Sequence, residues 1–365
     1  MKRIYWIGLA IILIVISSFV LIILKPAHTP AFTDVNGNEI SESIASIETV
    51  KLGGVEQTIT IRGENTSKPV LLFLHGGPGV PSAPWATWKD FHRELEKNFI
   101  LIHWDQRGAG KSFSKTLTPA DMHFENFIND TLELTNILKK RFNREKIFLW
   151  GHSWGSGLGF MVLKENSESY HAFIASAVRP SWNISQEIGY KKILEIVIQE
   201  NDNEARKDLE SIQPFDPTNF SHIDIRNRYL DKYLRDNFHT PRLADEWLNY
   251  ARYAKSPEYP LIDIPKTIAG IKFSQQTIGQ EIIDLDYNLS KDFPESSIPV
   301  YFFHGKHDYN CPSELAEEYF KSLKAPIKKF ILFENSAHNV YFDEPEKFNK
   351  EIILIADEVL MLEKP

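Results

Sequence analysis

The stretch at residues 147–155 reads I-F-L-W-G-H-S-W-G, and it limits the possible folds more than any other part of the chain. Its apolar run, ending at Trp150, has the character of a buried parallel strand. The run passes straight into Gly151-His152-Ser153-Trp154-Gly155, a G-x-S-x-G pattern, and then into a small, helix-compatible stretch at residues 156–163. A strand that turns sharply into a helix strains its turn residue, and glycines two places to either side relieve the crowding. The serine hydroxyl is thereby lifted above the sheet edge. The first turn of the helix offers free N–H groups and a positive dipole end, which suit an oxyanion. Alone, the pattern also fits a glycine-rich turn with an incidental serine, so the rest of the chain must supply its partners.

Residues 1–25 differ in texture from everything after them. Met1-Lys2-Arg3 precedes an uncharged apolar run that opens at Ile4 and closes at Leu24, followed by Lys25-Pro26. About twenty apolar residues suffice to cross a hydrocarbon core of roughly 30 Å. A cleavable signal has a shorter apolar region, about 7–15 residues, and a clean small-x-small site. Ala27-His28-Thr29 and Thr29-Pro30-Ala31 are poor candidates for such a site. The segment therefore reads as an N-terminal transmembrane anchor, with secretion after signal cleavage as the alternative. Lys2 and Arg3 favour a cytoplasmic N-terminus, which puts the remainder outside the cytoplasm. Residues 26–42, with Pro, Asn, Gly and Ser, read as a linker.

The rest of the 365-residue chain is long enough for one large domain with an insertion. A net charge of −8, with no Lys/Arg-rich run beyond the N-terminus, argues against a nucleic-acid partner. The single cysteine, Cys311, excludes an intrachain disulfide and any multi-cysteine metal site.

Strand-like segments at 46–52 and 57–62 meet at Gly53-Gly54, a hairpin signal. Val70-Leu71-Leu72-Phe73-Leu74 is a continuous apolar run leading into His75-Gly76-Gly77-Pro78-Gly79. Paired with Ser153, the Gly77 N–H is a natural oxyanion donor beside that of Trp154. A helix is expected around residues 84–97. Another strand, 99–104, enters Asp105-Gln106-Arg107-Gly108-Ala109-Gly110-Lys111-Ser112. Its G-K-S ending suggests a phosphate loop, but that motif needs glycine where this chain has Asp105. The stretch reads instead as a structured loop in which Asp105 and Arg107 bond to neighbouring turns. A helix at 124–141 then returns the chain to the Ser153 strand, and 172–178 reads as a further strand. Strand–helix alternation of this kind predicts a parallel sheet with helices on both faces.

From about 180 to 294 the pattern is helical, charged and aromatic, as at 184–200, 225–238 and 243–253. It reads as a helical cap inserted into the sheet domain. The predicted organisation is thus anchor 1–25, linker 26–42, first half of the sheet domain 43–180, cap 181–296 and second half 297–365. Strand character resumes at Val300-Tyr301-Phe302-Phe303-His304, followed by Gly305-Lys306-His307-Asp308. An acid in the loop after a late strand is where a catalytic carboxylate sits, and Asp308 fills that place. His304 and His307, without a further ligand, do not make a metal site. After the last strand, 328–333, His338 stands in the small polar loop Glu334-Asn335-Ser336-Ala337-His338-Asn339 and is the candidate base.

The order Ser153, Asp308, His338 is that of nucleophile, acid and histidine in one hydrolase fold. His338 would take the serine proton and return it to the leaving group, while Asp308 orients the imidazole. Gly77 and Trp154 N–H groups would hold the oxyanion. No metal or organic cofactor is required. In these motifs, together with Trp104-Asp105-Gln106-Arg107-Gly108, the chain resembles the α/β-hydrolases and, among them, the proline iminopeptidase group. The resemblance implies an α/β-hydrolase fold over roughly residues 45–360 and release of an N-terminal residue from a small peptide.

The cap departs from that group. Those aminopeptidases hold the substrate ammonium with cap glutamates, one within a W-x-x-W-E pattern that is absent here. Glu246-Trp247 is the nearest echo, and Glu187, Glu195 and Glu246 are the candidate carboxylates. A buried ammonium needs such a partner. Two enzymatic readings stay open, an aminopeptidase and a hydrolase of small carboxylic esters or lactones. A non-catalytic binding protein on the same fold is the third.

Overall fold

The computed structural model describes residues 25–83, 91–235 and 256–363. The expected apolar anchor, part of the helix expected at 84–97, and Glu246 with the helix expected at 243–253 lie outside these residues. Among the described residues no helix is long and apolar enough to cross a membrane.

Eight strands form one sheet. They are β1 (Ile44–Leu52), β2 (Val55–Gly63), β3 (Val70–Leu74), β4 (Ile100–Asp105), β5 (Ile147–His152), β6 (Tyr170–Ser176), β7 (Val300–Gly305) and β8 (Lys328–Phe333). Their spatial order is β1-β2-β4-β3-β5-β6-β7-β8. The hairpin β1–β2, turning at Gly53-Gly54, joins β4 antiparallel, and every pairing from β4 to β8 is parallel. The inner strands β3, β4, β5 and β7 are buried at every position, which is why they read as unbroken apolar runs rather than alternating ones.

Helices cover both faces. Leu72 and Leu74 of β3 and Leu149 of β5 pack against α2 (Phe124–Arg141) and α3 (Trp154–Asn166). Leu71, Phe73 and Trp150 point to the opposite face, toward α1 (Arg93–Asn98) and the last helix (Pro345–Leu362). The alternation of the strand thus divides one apolar run between two cores.

Among the described residues, six helices stand between β6 and β7: α4 (Trp182–Gln199), α5 (Asn203–Glu210), α6 (Phe220–Arg235), α7 (Ile264–Gln276), α8 (Ile278–Leu285) and the short α9 (Leu289–Asp292). The first three enclose a small core of their own, with Tyr190, Ile193, Val197, Leu209, Tyr229 and Leu230. The cap is also tied back to the sheet. Ser274 of α7 donates to the Gly108 carbonyl at 3.3 Å, and Lys266 Nζ to the Lys111 carbonyl at 2.5 Å.

The segment read as a linker packs closely onto this frame. Phe32 is buried beneath the guanidiniums of Arg62 and Arg93, at 4.5 and 4.8 Å from the ring centre. Just before it, His28 N–H donates to the Pro257 carbonyl at 3.0 Å and Thr29 Oγ1 to Glu258 at 2.8 Å.

Candidate active site

Ser153 occupies the junction between β5 and α3 with φ +53° and ψ −116°. A non-glycine residue in that region is strained, and the surroundings must hold it there. Its N–H donates to the Ser176 carbonyl on β6 at 2.9 Å, and its carbonyl accepts from Ser156 N–H and Oγ at 2.9 and 2.7 Å. Close approach of α3 to the sheet does the rest. A Cβ at Gly155 would overlap the Leu74 carbonyl, so the helix can start only where glycine lets it press on the end of β3. The loop after β3 is equally near, since a Cβ on Gly76 would lie 3.3 Å from that of Ser153. Gly77 follows at φ +118°. The indole of Trp154 donates to Gln106 Oε1 at 2.9 Å, and Gln106 in turn bonds His75. That fixes the first residue of α3, whose N–H has no acceptor within the helix.

The loops after β7 and β8 bring Asp308 and His338 together. His338 Nδ1 lies 2.9 Å from Asp308 Oδ2, while Asp308 Oδ1 accepts the N–H groups of Asn310 and Cys311 at 3.0 and 2.8 Å. Burial alone would raise the Asp308 carboxyl, but the charge and hydrogen bond of His338 and the Cys311 N–H outweigh it and hold the group below its ordinary value. Burial likewise works against a charge on His338. The Asp308 carboxylate, and after it Cys311, reverse that effect and raise the imidazole above its ordinary value. The pair favours imidazolium beside carboxylate. The His338 ring lies 4.9 Å from that of His152, the residue preceding Ser153, so elbow and histidine loop face one another.

The profile of the alpha/beta hydrolase fold family matches residues 69–345, which hold every one of these groups. The chain belongs to the α/β-hydrolase family. A probable aminopeptidase of Bacillus subtilis (strain 168), YbaC, is 31% identical over 312 residues, covering 84% of this chain and 95% of that one. A proline iminopeptidase of Heyndrickxia coagulans is 26% identical over 289 residues, covering 78% of this chain and 89% of its own length. Among solved structures, a proline iminopeptidase from Mycobacterium smegmatis superposes with a TM-score of 0.62 at 16% identity, covering 87% of this chain and all of that one. This hydrolase is thus proline iminopeptidase-like.

Other sequence candidates fall elsewhere in the hydrolase. Glu187 and Glu195 are exposed on α4, near Lys191 at 4.0 Å and Lys192 at 3.3 Å. The buried face of α4 carries Gln186, Gly189, Tyr190, Ile193 and Val197, so both glutamates point to solvent and neither meets Ser153. Glu246 is outside the described residues. His304 is buried, accepts the Val178 N–H at 2.8 Å and is pushed down to about 4 by burial, so it serves the fold as a neutral ring. Arg107 grips Asp130 with two bonds, 2.8 and 2.9 Å, and pins the β1–β2 turn through the Gly53 carbonyl. Lys111, the lysine of the G-K-S triplet, is paired with Asp263 of the cap segment. Asp308, Cys311 and His338 bring three metal-type donors within 4.8 Å of one another. The Asp308 oxygens, however, are already committed to two N–H groups and the imidazole.

Three residues at the site were not singled out from sequence. Asn310 Nδ2 stands 3.5 Å from His338 Nε2. Arg179, just past β6, donates to Asn310 Oδ1 at 3.1 Å. Arg226 of α6 donates to the Tyr309 carbonyl at 3.0 Å. Adjacency to Asp308 was a signal for Asn310, whereas Arg226 sits in a charged helical pattern that looks solvent-facing.

Proposed function

We propose that this hydrolase is a serine aminopeptidase of the proline iminopeptidase type, working through an acyl-enzyme. The observation that carries the reading is the 2.9 Å Asp308–His338 contact beside a serine strained at a strand–helix elbow. His338 Nε2 removes the proton from Ser153 Oγ as the oxygen attacks the scissile carbonyl. The tetrahedral oxyanion is held by the N–H groups of Gly77 and Trp154. His338 then gives its proton to the departing amine, and the acyl-enzyme remains. Water attacks that acyl group with His338 again as base, and Ser153 is restored. Asp308 stays ionised throughout and stabilises the imidazolium. No metal or organic cofactor takes part.

The likeness to a probable aminopeptidase and to a proline iminopeptidase favours a peptide with a free N-terminal residue as substrate. An ester or lactone hydrolase is the second reading, favoured by the solvent-facing placement of Glu187 and Glu195, which leaves the ammonium without either carboxylate. The apolar run from Ile4 to Leu24 supports a single-pass anchor with the catalytic domain outside the cytoplasm.

One experiment tests these points. The full chain is expressed, membranes are washed and sedimented, and both fractions are assayed on a proline arylamide and a short-chain nitrophenyl ester, with Ser153→Ala as control. Arylamide cleavage that depends on Ser153 and sediments with membranes is expected. Ester cleavage alone would establish the second reading, and activity that stays in the supernatant would overturn the anchor. Activity untouched by Ser153→Ala would overturn the mechanism.

A further inference from the structure

The hydrolase pairs its other buried arginines with acids. Arg62 is bound to Glu96 at 2.5 Å and Arg107 to Asp130 at 2.8 Å. Arg226 is different. It is wholly buried, donates only to neutral oxygens, Asn227 Oδ1 at 2.7 Å and the Tyr309 carbonyl at 3.0 Å, and its Nε has no partner. Arg179 repeats the pattern in part: it is half-buried, with its guanidinium over the Trp182 ring at 4.6 Å. It donates to the carbonyl and Oδ1 of Asn310 at 3.3 and 3.1 Å, and its buried Nε is also without a partner. Among the described residues neither guanidinium forms an ion pair. The charge of Asp308 reaches both arginines, but its oxygens are bonded to two N–H groups and His338.

A buried guanidinium without an acid in direct contact is costly. Asp308 and Asp231 offset that cost at Arg226 only in part, while at Arg179 the Asp308 charge helps to hold the group above its ordinary value. Here two face the same loop and repel one another. Burial first, and then Arg179, pull Arg226 down to about 9. The fold nonetheless makes room for this arrangement. A Cβ on Gly189 of α4 would overlap both Arg226 Nη2 and the Tyr309 carbonyl, so a glycine in mid-helix, unfavourable by propensity, admits the guanidinium. Both arginines anchor to the 309–310 segment, and Asn310 reaches from there to within 3.5 Å of His338 Nε2. The positive pair is therefore one side chain away from the atom that handles the reacting proton.

We infer that Arg179 and Arg226 recognise a carboxylate on the substrate close to the scissile bond. Resting on the aminopeptidase reading, this makes the substrate a dipeptide, whose leaving residue carries its free carboxylate one Cα beyond the scissile amide nitrogen. A guanidinium pair offers planar donors that match a carboxylate, and binding supplies a countercharge in direct contact. The chemistry also separates this site from ammonium recognition, since a cationic group placed here would be repelled.

The test compares kcat/KM of the full-length enzyme on Pro-Ala and on Pro-Ala amide, which share one scissile bond and differ only in the terminal charge. The free acid should be preferred roughly 10- to 100-fold, the size of one hydrogen bond between charged groups. In Arg226→Gln the acid-to-amide ratio should fall toward one, and Arg226→Lys should keep part of it. An equal or inverted ratio in the wild-type enzyme overturns the proposal, whatever the variants do to folding. If neither dipeptide is cleaved, the aminopeptidase reading has failed separately. The same comparison then passes to O-acetyl lactate against O-acetyl lactamide, esters whose leaving group carries the carboxylate or amide one carbon beyond the scissile oxygen. The acid should again win, and a preference for the amide overturns the carboxylate site.

Discussion

Two aspartates at the carboxyl ends of parallel strands behave in opposite ways. Asp105 closes β4 and Asp308 follows β7, and each is 1% exposed. Asp308 faces an imidazole and two backbone N–H groups and is held below its ordinary value. Asp105 faces the Tyr259 hydroxyl and the Lys111 N–H through Oδ2, its Oδ1 is buried without a partner, and burial pushes it up to about 6. Lys111 and Lys266 pull it down only in part. Burial is common to both, so burial does not decide whether a carboxyl is charged. A cation in direct contact does. The first aspartate joins the sheet to the cap, and the second holds a charge against His338.

The same substitution at both sites should break the symmetry most sharply. Asp308→Asn removes the charge that favours imidazolium and offers His338 Nδ1 an amide N–H, which favours the wrong tautomer. A loss of about 10³- to 10⁴-fold in kcat is expected. The pH profile should move as well. In the wild-type enzyme kcat/KM should rise with pH as the raised His338 loses its proton, with a midpoint above 6.5. Without Asp308, burial dominates and the residual activity should titrate at lower pH. An unchanged midpoint would remove Asp308 from the role given to it.

These two aspartates also show where sequence was informative. The strands and the elbow were legible because parallel strands buried on both faces must be apolar throughout, and because Gly-flanked turns leave a local mark. Asp308 and His338 were legible from their places after successive late strands, since this fold collects its loops at one edge of the sheet. The cap was legible as helical but its contacts were not. Arg226 and Arg228 stand two apart in one charged helix, yet Arg226 is wholly buried and Arg228 has a side chain 63% exposed. Only packing against α4 and the 309–310 segment separates them. For Glu187 and Glu195 the signal existed in part. Tyr190, Ile193 and Val197 mark a helix face, and neither glutamate shares it. The packing of Phe32 depends on two arginines far along the chain, which no local pattern in residues 26–42 reports.

Tyr259→Phe should give a smaller effect on the other side of the comparison. The buried hydroxyl donates to Asp105 and accepts from Lys111 N–H at 3.3 Å, and the ring carries Lys111 Nζ at 4.8 Å. Phenylalanine keeps the ring contact and removes the donor. Asp105 should then cost more to bury, with a stability loss of about 1–3 kcal/mol in urea unfolding at pH 8. Activity should fall far less than in Asp308→Asn. A loss of activity as large as at Asp308 would place Tyr259 and Asp105 within the chemistry and erase the distinction.

Asp105→Asn is the smallest and the most discriminating change. The Asn carbonyl can accept from both Tyr259 and Lys111, and its amide puts a donor where Oδ1 now has no partner. The folded Asp105 keeps its proton up to about pH 6, whereas an ordinary aspartate releases it near 3.8. Between these values the folded chain binds more protons than the unfolded one. Wild-type stability from this group is therefore present at low pH and lost as pH rises through that window. Above it, a buried carboxylate persists at a cost that asparagine does not incur. Asp105→Asn should thus be within about 1 kcal/mol of wild type at pH 8, or more stable, and the wild type should gain on it when both are unfolded in urea at pH 4.5. A variant that loses more than about 2 kcal/mol at pH 8, with no change in the difference at low pH, would mean that Asp105 depends on its charge as Asp308 does. Its neutral neighbours would then not be enough to explain why the two ends of the sheet behave differently.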